Sequence, residues 1–290
     1  MALKPDGEGT ALRVSSTGAG AGLGRRVARD ELLLVLALSL GASAVSALIS
    51  FTGVLTRPGG LGDHAANLNS SRAPDRPWLD LAWQLFGIAT ALVPVLLVAH
   101  FLSQERGLSQ EPALAREGGL RPGAGGLRVI GFDAARPRFD LAWGAVVAAG
   151  IGGSGLMLYL GAHAAGASLT VVPESLPEVW WKFPVLILSA IQNSVVEEVI
   201  VVGFLLLRLE RLGWSPTGAL VGSAVLRGTY HLYQGIGGFF GNVAMGVIFV
   251  WLYRRWGRVM PLVVAHALID IVAFVGYALL AGRVDWLPTA

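Results

Sequence analysis

The sequence predicts an all-α, polytopic helical membrane protein with about seven transmembrane helices. Three observations carry this expectation. Of 290 residues, 54% are hydrophobic and only 14% charged, with a mean hydropathy of +0.62, whereas soluble domains carry about 25% charged residues. The apolar residues are gathered into runs near the ~20 residues that a spanning helix needs. The basic residues sit unevenly between those runs.

In chain order, residues 1–30 are rich in Gly, Ser and Ala, carry five basic residues and read as a disordered cytoplasmic tail. The run at about 31–52 is too long for a signal-peptide core and lacks a cleavage site, so it reads as a membrane anchor. Arg57-Pro58-Gly59-Gly60 marks a turn before the second run, 79–102. The third, 140–162, carries Gly150, Gly152, Gly153 and Gly155, which permit close helix packing. The fourth is 181–207, followed by the breaker Trp214-Ser215-Pro216. The fifth and sixth, 216–232 and 236–253, are short and share a tight linker, Tyr233-Gln234-Gly235; the seventh is 259–280.

With the N-terminus inside, 16 of the 22 Lys and Arg residues face the cytoplasm, five face outward, and Arg227 lies within a span. The bias predicts a cytoplasmic N-terminus. Trp78, Trp180, Trp181 and Trp286 then fall at outer boundaries and Trp214 and Trp256 at inner ones. With no cysteine, the chain can form neither disulfides nor thiolate metal sites, and it has no Cys nucleophile. The positive charges form no stripe, which argues against nucleic acid as a partner. Arg outnumbers Lys 20 to 2 amid abundant Ala and Gly, a composition that suggests a GC-rich bacterial genome and hence the bacterial inner membrane.

Polar chemistry divides the chain. Residues 31–165 have few strongly polar groups within their spans and read as scaffold, whereas 178–280 hold Glu197, Glu198, Arg227, His231, His266 and Asp270 inside apolar runs. A single acid at the centre of a spanning helix costs roughly 2.5–3.5 kcal/mol on insertion scales, so such residues mark function or pairing. Adjacent helical residues point about 100° apart, so Glu197 and Glu198 cannot serve one purpose. Arg227 and His231, like His266 and Asp270, are four apart and share a helix face. Straight helices would leave His231 nearer the outer face than His266, so a tilt, a half-helix or span edges other than those drawn here must close the gap. A carboxylate beside imidazoles in a desolvated cavity suits activation of water by a general base. Glu197, His231 and His266 would equally suit a zinc ion with an open water position. Spacing alone does not separate the two. Asn242 and Gln192 read as packing hydrogen bonds between helices.

Three motifs stand in order on three apolar helices: Glu197-Glu198-Val199-Ile200-Val201-Val202-Gly203, Arg227-Gly228-Thr229-Tyr230-His231 and His266-Ala267-Leu268-Ile269-Asp270. Over about 180–275 they resemble the CPBP family of intramembrane proteases, which includes CAAX prenyl endopeptidases and Abi-like bacteriocin-processing or self-immunity proteins. The resemblance implies an intramembrane endopeptidase acting on a membrane-associated peptide or protein. It implies Glu197 as base, His231 positioning the water, and His266 with Asp270 polarising the scissile carbonyl, with or without a metal. Two positions depart from the pattern: Val202 stands where the family has Arg, and Arg227 where it has Phe. The expectation is that the cation has moved to the next helix, where Arg227 forms a structural ion pair with Glu198. A bacterial chain gives no reason to assume a prenylated substrate. The alternatives are a non-catalytic scaffold, immunity or regulatory protein of the same fold, and a proton-coupled transporter; the inverted repeats usual in transporters are absent.

Overall fold

The computed structural model describes residues 16–59, 61–114, 125–166 and 169–288. Helix α1 (Ser16–Ala37) meets α2 (Leu40–Leu55) at a bend of 49°. A short strand β1 (Ala65–Ser70) leads to α3 (Pro77–Ala91) and α4 (Val93–Leu114), which run on as one span. After α5 (Pro137–Ala164) comes β2 (Thr170–Ser175), paired in parallel with β1. The next run begins as α6 (Lys182–Glu197), widens to a π-helix over Glu198–Phe204 and ends as α7 (Leu205–Arg211). Helices α8 (Pro216–Tyr230), α9 (Ile236–Trp256) and α10 (Met260–Leu280) complete the bundle.

Among the described residues, five runs are long and apolar enough to cross a membrane, or six if α1 and α2 make one bent span. The expected fifth span, 216–232, is the difference. Its helix α8 has 15 residues, about 22 Å at 1.5 Å per residue, against a hydrocarbon core of about 30 Å. It stops because the chain turns through Leu232–Gln234 into Gly235, whose φ of +96° suits glycine. The first 15 residues of the expected disordered tail lie outside the described residues. From Ser16 the chain is helical, which corrects the tail's expected extent. The reason is that Ala28, Leu32 and Val35, spaced four and three apart, bury one face of α1. The two-stranded sheet was also not foreseen; it ties the segment before α3 to the segment before α6.

The run from Lys182 to Arg211 is the axis of the bundle. Two thirds of its apolar window (67%) is buried, against 11–28% for the other four spans. Glu198 through Phe204 are all buried. The outer helices instead expose large apolar side chains such as Leu96, Met157, Trp251 and Val272, as helices facing lipid must. Charged pairs fasten both ends of the axis. Buried Lys182 meets Glu174 of β2 at 3.0 Å and Glu178 at 2.7 Å. Fully buried Arg208 meets Glu31 of α1 at 2.7 Å and Glu105 of α4 at 2.9 Å, while Arg211 also pairs with Glu105.

The loop before α5 sets the depth of α10. Its short 3₁₀ turn ends at fully buried Ile130, which packs on Gly203, where even a Cβ would come within 2.6 Å of the Ile130 side chain. The N–H groups of Val259 and Met260 donate to the carbonyls of Ile130 and Gly131 at 2.9 and 3.3 Å. Arg258 is clamped by Asp140 (2.8 Å) and Asp133 (2.9 Å). Helix α10 therefore starts at the level of Gly203, part-way along the axis rather than at its end. That offset lifts His266 to the level of the glutamates and resolves the mismatch that straight, full-length helices imply.

Candidate active site

The π-helical run widens the axis directly after Glu197. A π segment shifts backbone hydrogen bonding from i→i+4 to i→i+5 and often occurs at functional sites. Here Ser223 of α8 donates its hydroxyl to the Val201 carbonyl at 2.9 Å. The widened turn is thus held by a side chain from a neighbouring helix. Close approach of α8 and α9 makes room for this packing: a Cβ on Gly228 would come within 2.5 Å of Val243.

The two glutamates, adjacent in sequence, have different surroundings. Glu198 is fully buried, and its Oε1 accepts from Arg227 Nη2 at 2.6 Å and from His266 Nδ1 at 2.7 Å. The Arg227 guanidinium also lies over the Phe249 ring, 5.2 Å from its centroid. Glu197 keeps 8% exposure. Its Oε2 accepts from the Tyr230 hydroxyl at 2.8 Å, faces His231 Nε2 at 3.5 Å, and lies 3.9 Å from Arg227 Nη1. The Gln234 amide donates to His231 Nδ1 at 3.2 Å. That bond places the proton of a neutral imidazole on Nε2, toward Glu197. His266 Nε2 stands 3.6 Å from Asp270 Oδ1, one helical turn along α10.

The structure therefore gathers all six residues singled out in the sequence around the start of the π-helix. Glu198, Arg227 and His266 form a closed, buried cluster, while Glu197 and half-buried His231 lie beside it, joined by buried Tyr230, which was not among the six. Asp270 touches the cluster through His266. The metal-ligand grouping also differs from expectation. Ligand atoms of Glu197, Glu198 and His266 lie within 4.8 Å of one another and could hold a metal ion. His231 is not in that set. It sits beyond the last turn of α8, with one ring nitrogen taken by Gln234.

Tyr230 is the site residue that sequence reasoning missed. Its signal was present: a phenol directly before His231, where the chain leaves α8. Gln234 was passed over as part of a linker, although it orients His231.

With this geometry in hand, comparison with known proteins identifies one family. Residues 179–272 match the family model described as Type II CAAX prenyl endopeptidase Rce1-like. The segment contains all six residues and Tyr230, and at the family level the similarity is to a CAAX-type intramembrane protease. No curated protein and no solved structure matches the chain.

Proposed function

We propose that this protein is an intramembrane endopeptidase in which Glu197 activates the water that attacks the scissile peptide bond. The observation that carries this reading is the unequal setting of the paired carboxylates. Glu198 is locked between a guanidinium and an imidazole, whereas Glu197 accepts from a phenol, faces a loosely placed imidazole, has the Arg227 guanidinium no nearer than 3.9 Å and keeps some exposure.

In this mechanism a water between Glu197 Oε2 and His231 Nε2 gives its proton to Glu197 as its oxygen bonds to the scissile carbonyl carbon. The carbonyl oxygen takes up the C=O electron pair as an oxyanion, the charge that a positioned donor would stabilise. The proton held by Glu197 then passes to the amine as the C–N bond breaks. Tyr230 fixes the Oε2 of Glu197 in place. Glu198, Arg227 and His266, with Asp270 behind, hold the π-helical turn and supply compensating charge. The helices N-terminal to 165 serve as scaffold, and the N-terminus lies on the cytoplasmic side of a bacterial inner membrane.

Distance alone permits a metal at Glu197, Glu198 and His266, but charge argues against it. Oε1 of Glu198 already accepts from Arg227 and from His266, while its buried Oε2 has no hydrogen-bond partner. A divalent cation there would face a guanidinium in a medium of low dielectric, where repulsion is strong. We therefore assign the reaction to the side chains without a metal step.

The test compares membranes from cells expressing the wild type or Glu197→Gln at equal level, scanned for new peptide termini. Termini found only with the wild type support the reading and name the substrate. Termini that persist in the variant remove Glu197 as base. Their absence from both, with the protein folded, favours the non-catalytic scaffold.

A further inference from the structure

A groove of about 410 Å³ opens beside the glutamates, walled by β1, α3 and α6, with Tyr233 completing its lining. Four of its side chains are primary amides, Asn69, Gln84, Gln192 and Asn193, and Arg72 is the one charged residue in the lining. Amides donate and accept without carrying charge, so the groove complements peptide groups better than ions or hydrocarbon. It adjoins the site, one helical turn from Glu197 along α6. Ser189, Asn193 and Glu197 follow at four-residue intervals on one face of α6, and the first two line the groove. Tyr233 stacks against His231 with ring centroids 6.3 Å apart, and Gln234 donates to both.

One wall of this groove is an open sheet edge. In the parallel pairing, Ala65 stands opposite Thr170, and the Thr170 N–H donates to the His64 carbonyl. That register turns the backbone of Ala66 and Leu68 toward β2 and the backbone of Ala65 and Asn67 outward. Ala65 and Asn67 are exposed, and among the described residues nothing pairs with their outward groups. The far edge of β2 is closed instead. The Val171 N–H donates to the Tyr159 hydroxyl at 3.0 Å, and Pro173 has no N–H to offer. One edge is protected and the other is left open at Ala65 and Asn67, directly before the stretch Leu68–Ser70 that lines the groove.

We propose that β1 is the docking strand for substrate: an uncharged, extended peptide segment adds to it as a third strand and continues along the amide-lined groove to Glu197. This deepens the hydrolytic reading and rests on it. It also supplies a physical reason for strand addition. A peptide bond inside a helix has its carbonyl hydrogen-bonded and shielded, whereas an extended segment presents it to attack. Backbone pairing gives affinity that is tolerant of side chains, and the groove gives selection against charge.

The test uses the full-length Glu197→Gln protein in lipid nanodiscs and an uncharged, threonine- and valine-rich peptide carrying a photo-cross-linker. Backbone N-methyl groups are moved along the peptide one residue at a time. Edge addition predicts alternation: methylation at every second residue lowers cross-linking about tenfold, and the residues between tolerate it. Adducts map to β1 and α3, and Asn67→Pro lowers their yield to a similar extent. A uniform response to methylation, adducts on other elements, or no adduct at all overturns the proposal, even if the wild type cleaves peptides. Alternation with a wild type that cleaves nothing would keep the docking strand and remove the hydrolytic reading.

Discussion

The Tyr230 hydroxyl donates to Oε2 of Glu197 across 2.8 Å, linking the last residue of α8 to the last residue of α6. The bond joins two helix ends at the point where each changes character: α6 widens to a π-helix and α8 gives way to a turn. Removing the hydroxyl should therefore disturb aim more than stability. Tyr230→Phe keeps the buried ring and loses one charge-assisted bond, worth roughly 1.5–3 kcal/mol. We expect kcat to fall about tenfold to a hundredfold with KM nearly unchanged, while the thermal midpoint falls by no more than the loss of that one bond. A larger fall in the midpoint would instead make Tyr230 a packing residue.

The closed cluster should respond in the opposite way. Arg227→Leu takes the guanidinium from buried Glu198 and leaves it His266 alone, and breaking a buried pair costs about 3–5 kcal/mol. Folded yield in membranes should drop sharply. Adding Val202→Arg to that background returns a cation one turn from Glu198, and recovery of yield would show that the charge, rather than its helix of origin, is what the fold requires. No recovery would mean that the α8 position itself is essential.

Chelation separates the two chemistries left open by spacing. Because the Arg227 guanidinium already supplies the positive charge at Glu198, EDTA or 1,10-phenanthroline should leave the cleavage rate of the purified protein unchanged. A loss that zinc restores would place an ion in the site and overturn the assignment.

The clamp on α10 predicts an acid sensitivity away from the site. The Ala135 backbone N–H, with Arg258 beside it, holds the Asp133 carboxyl below its ordinary range. A carboxyl depressed in the folded state stabilises at pH above its unfolded value and loses that contribution as pH falls through the folded one. Asp133→Asn should thus lower the thermal midpoint at pH 7 by an amount equivalent to about 1 kcal/mol. The gap from wild type should close below about pH 4. A gap that persists in acid would mean that Asp133 acts through shape and not charge.

The chemistry was legible in the sequence because charges inside apolar runs are costly and therefore conspicuous. Glu197, Glu198, Arg227, His231, His266 and Asp270 could all be picked out on that ground, and four-residue spacing put them on shared faces. What was not legible depends on partners distant in sequence. The depth of α10 rests on Arg258 meeting Asp140, 118 residues away. The sheet pairs segments 105 residues apart, each too short and polar to stand out from a loop. Helix α8 looked like a span because apolar composition does not reveal where a chain turns back. The division of labour between the glutamates was foreseen only as a difference in direction; which partner each would take required the neighbouring helices.

The π-helical turn has a consequence for rotational phase. A π turn holds more residues than an α turn, so it resets the angle at which everything before it faces relative to everything after it. Deleting a single residue, such as Ile200, would leave hydropathy and both motif halves almost untouched. Yet it would let the run relax to a continuous α-helix and swing Glu197 by about 100° about the axis relative to α7. The glutamates, which turn together, cannot keep Arg227 and Tyr230 while Arg208 of α7 keeps Glu31 and Glu105. The site is therefore more vulnerable to a change of count within Glu198–Phe204 than to most changes of identity there.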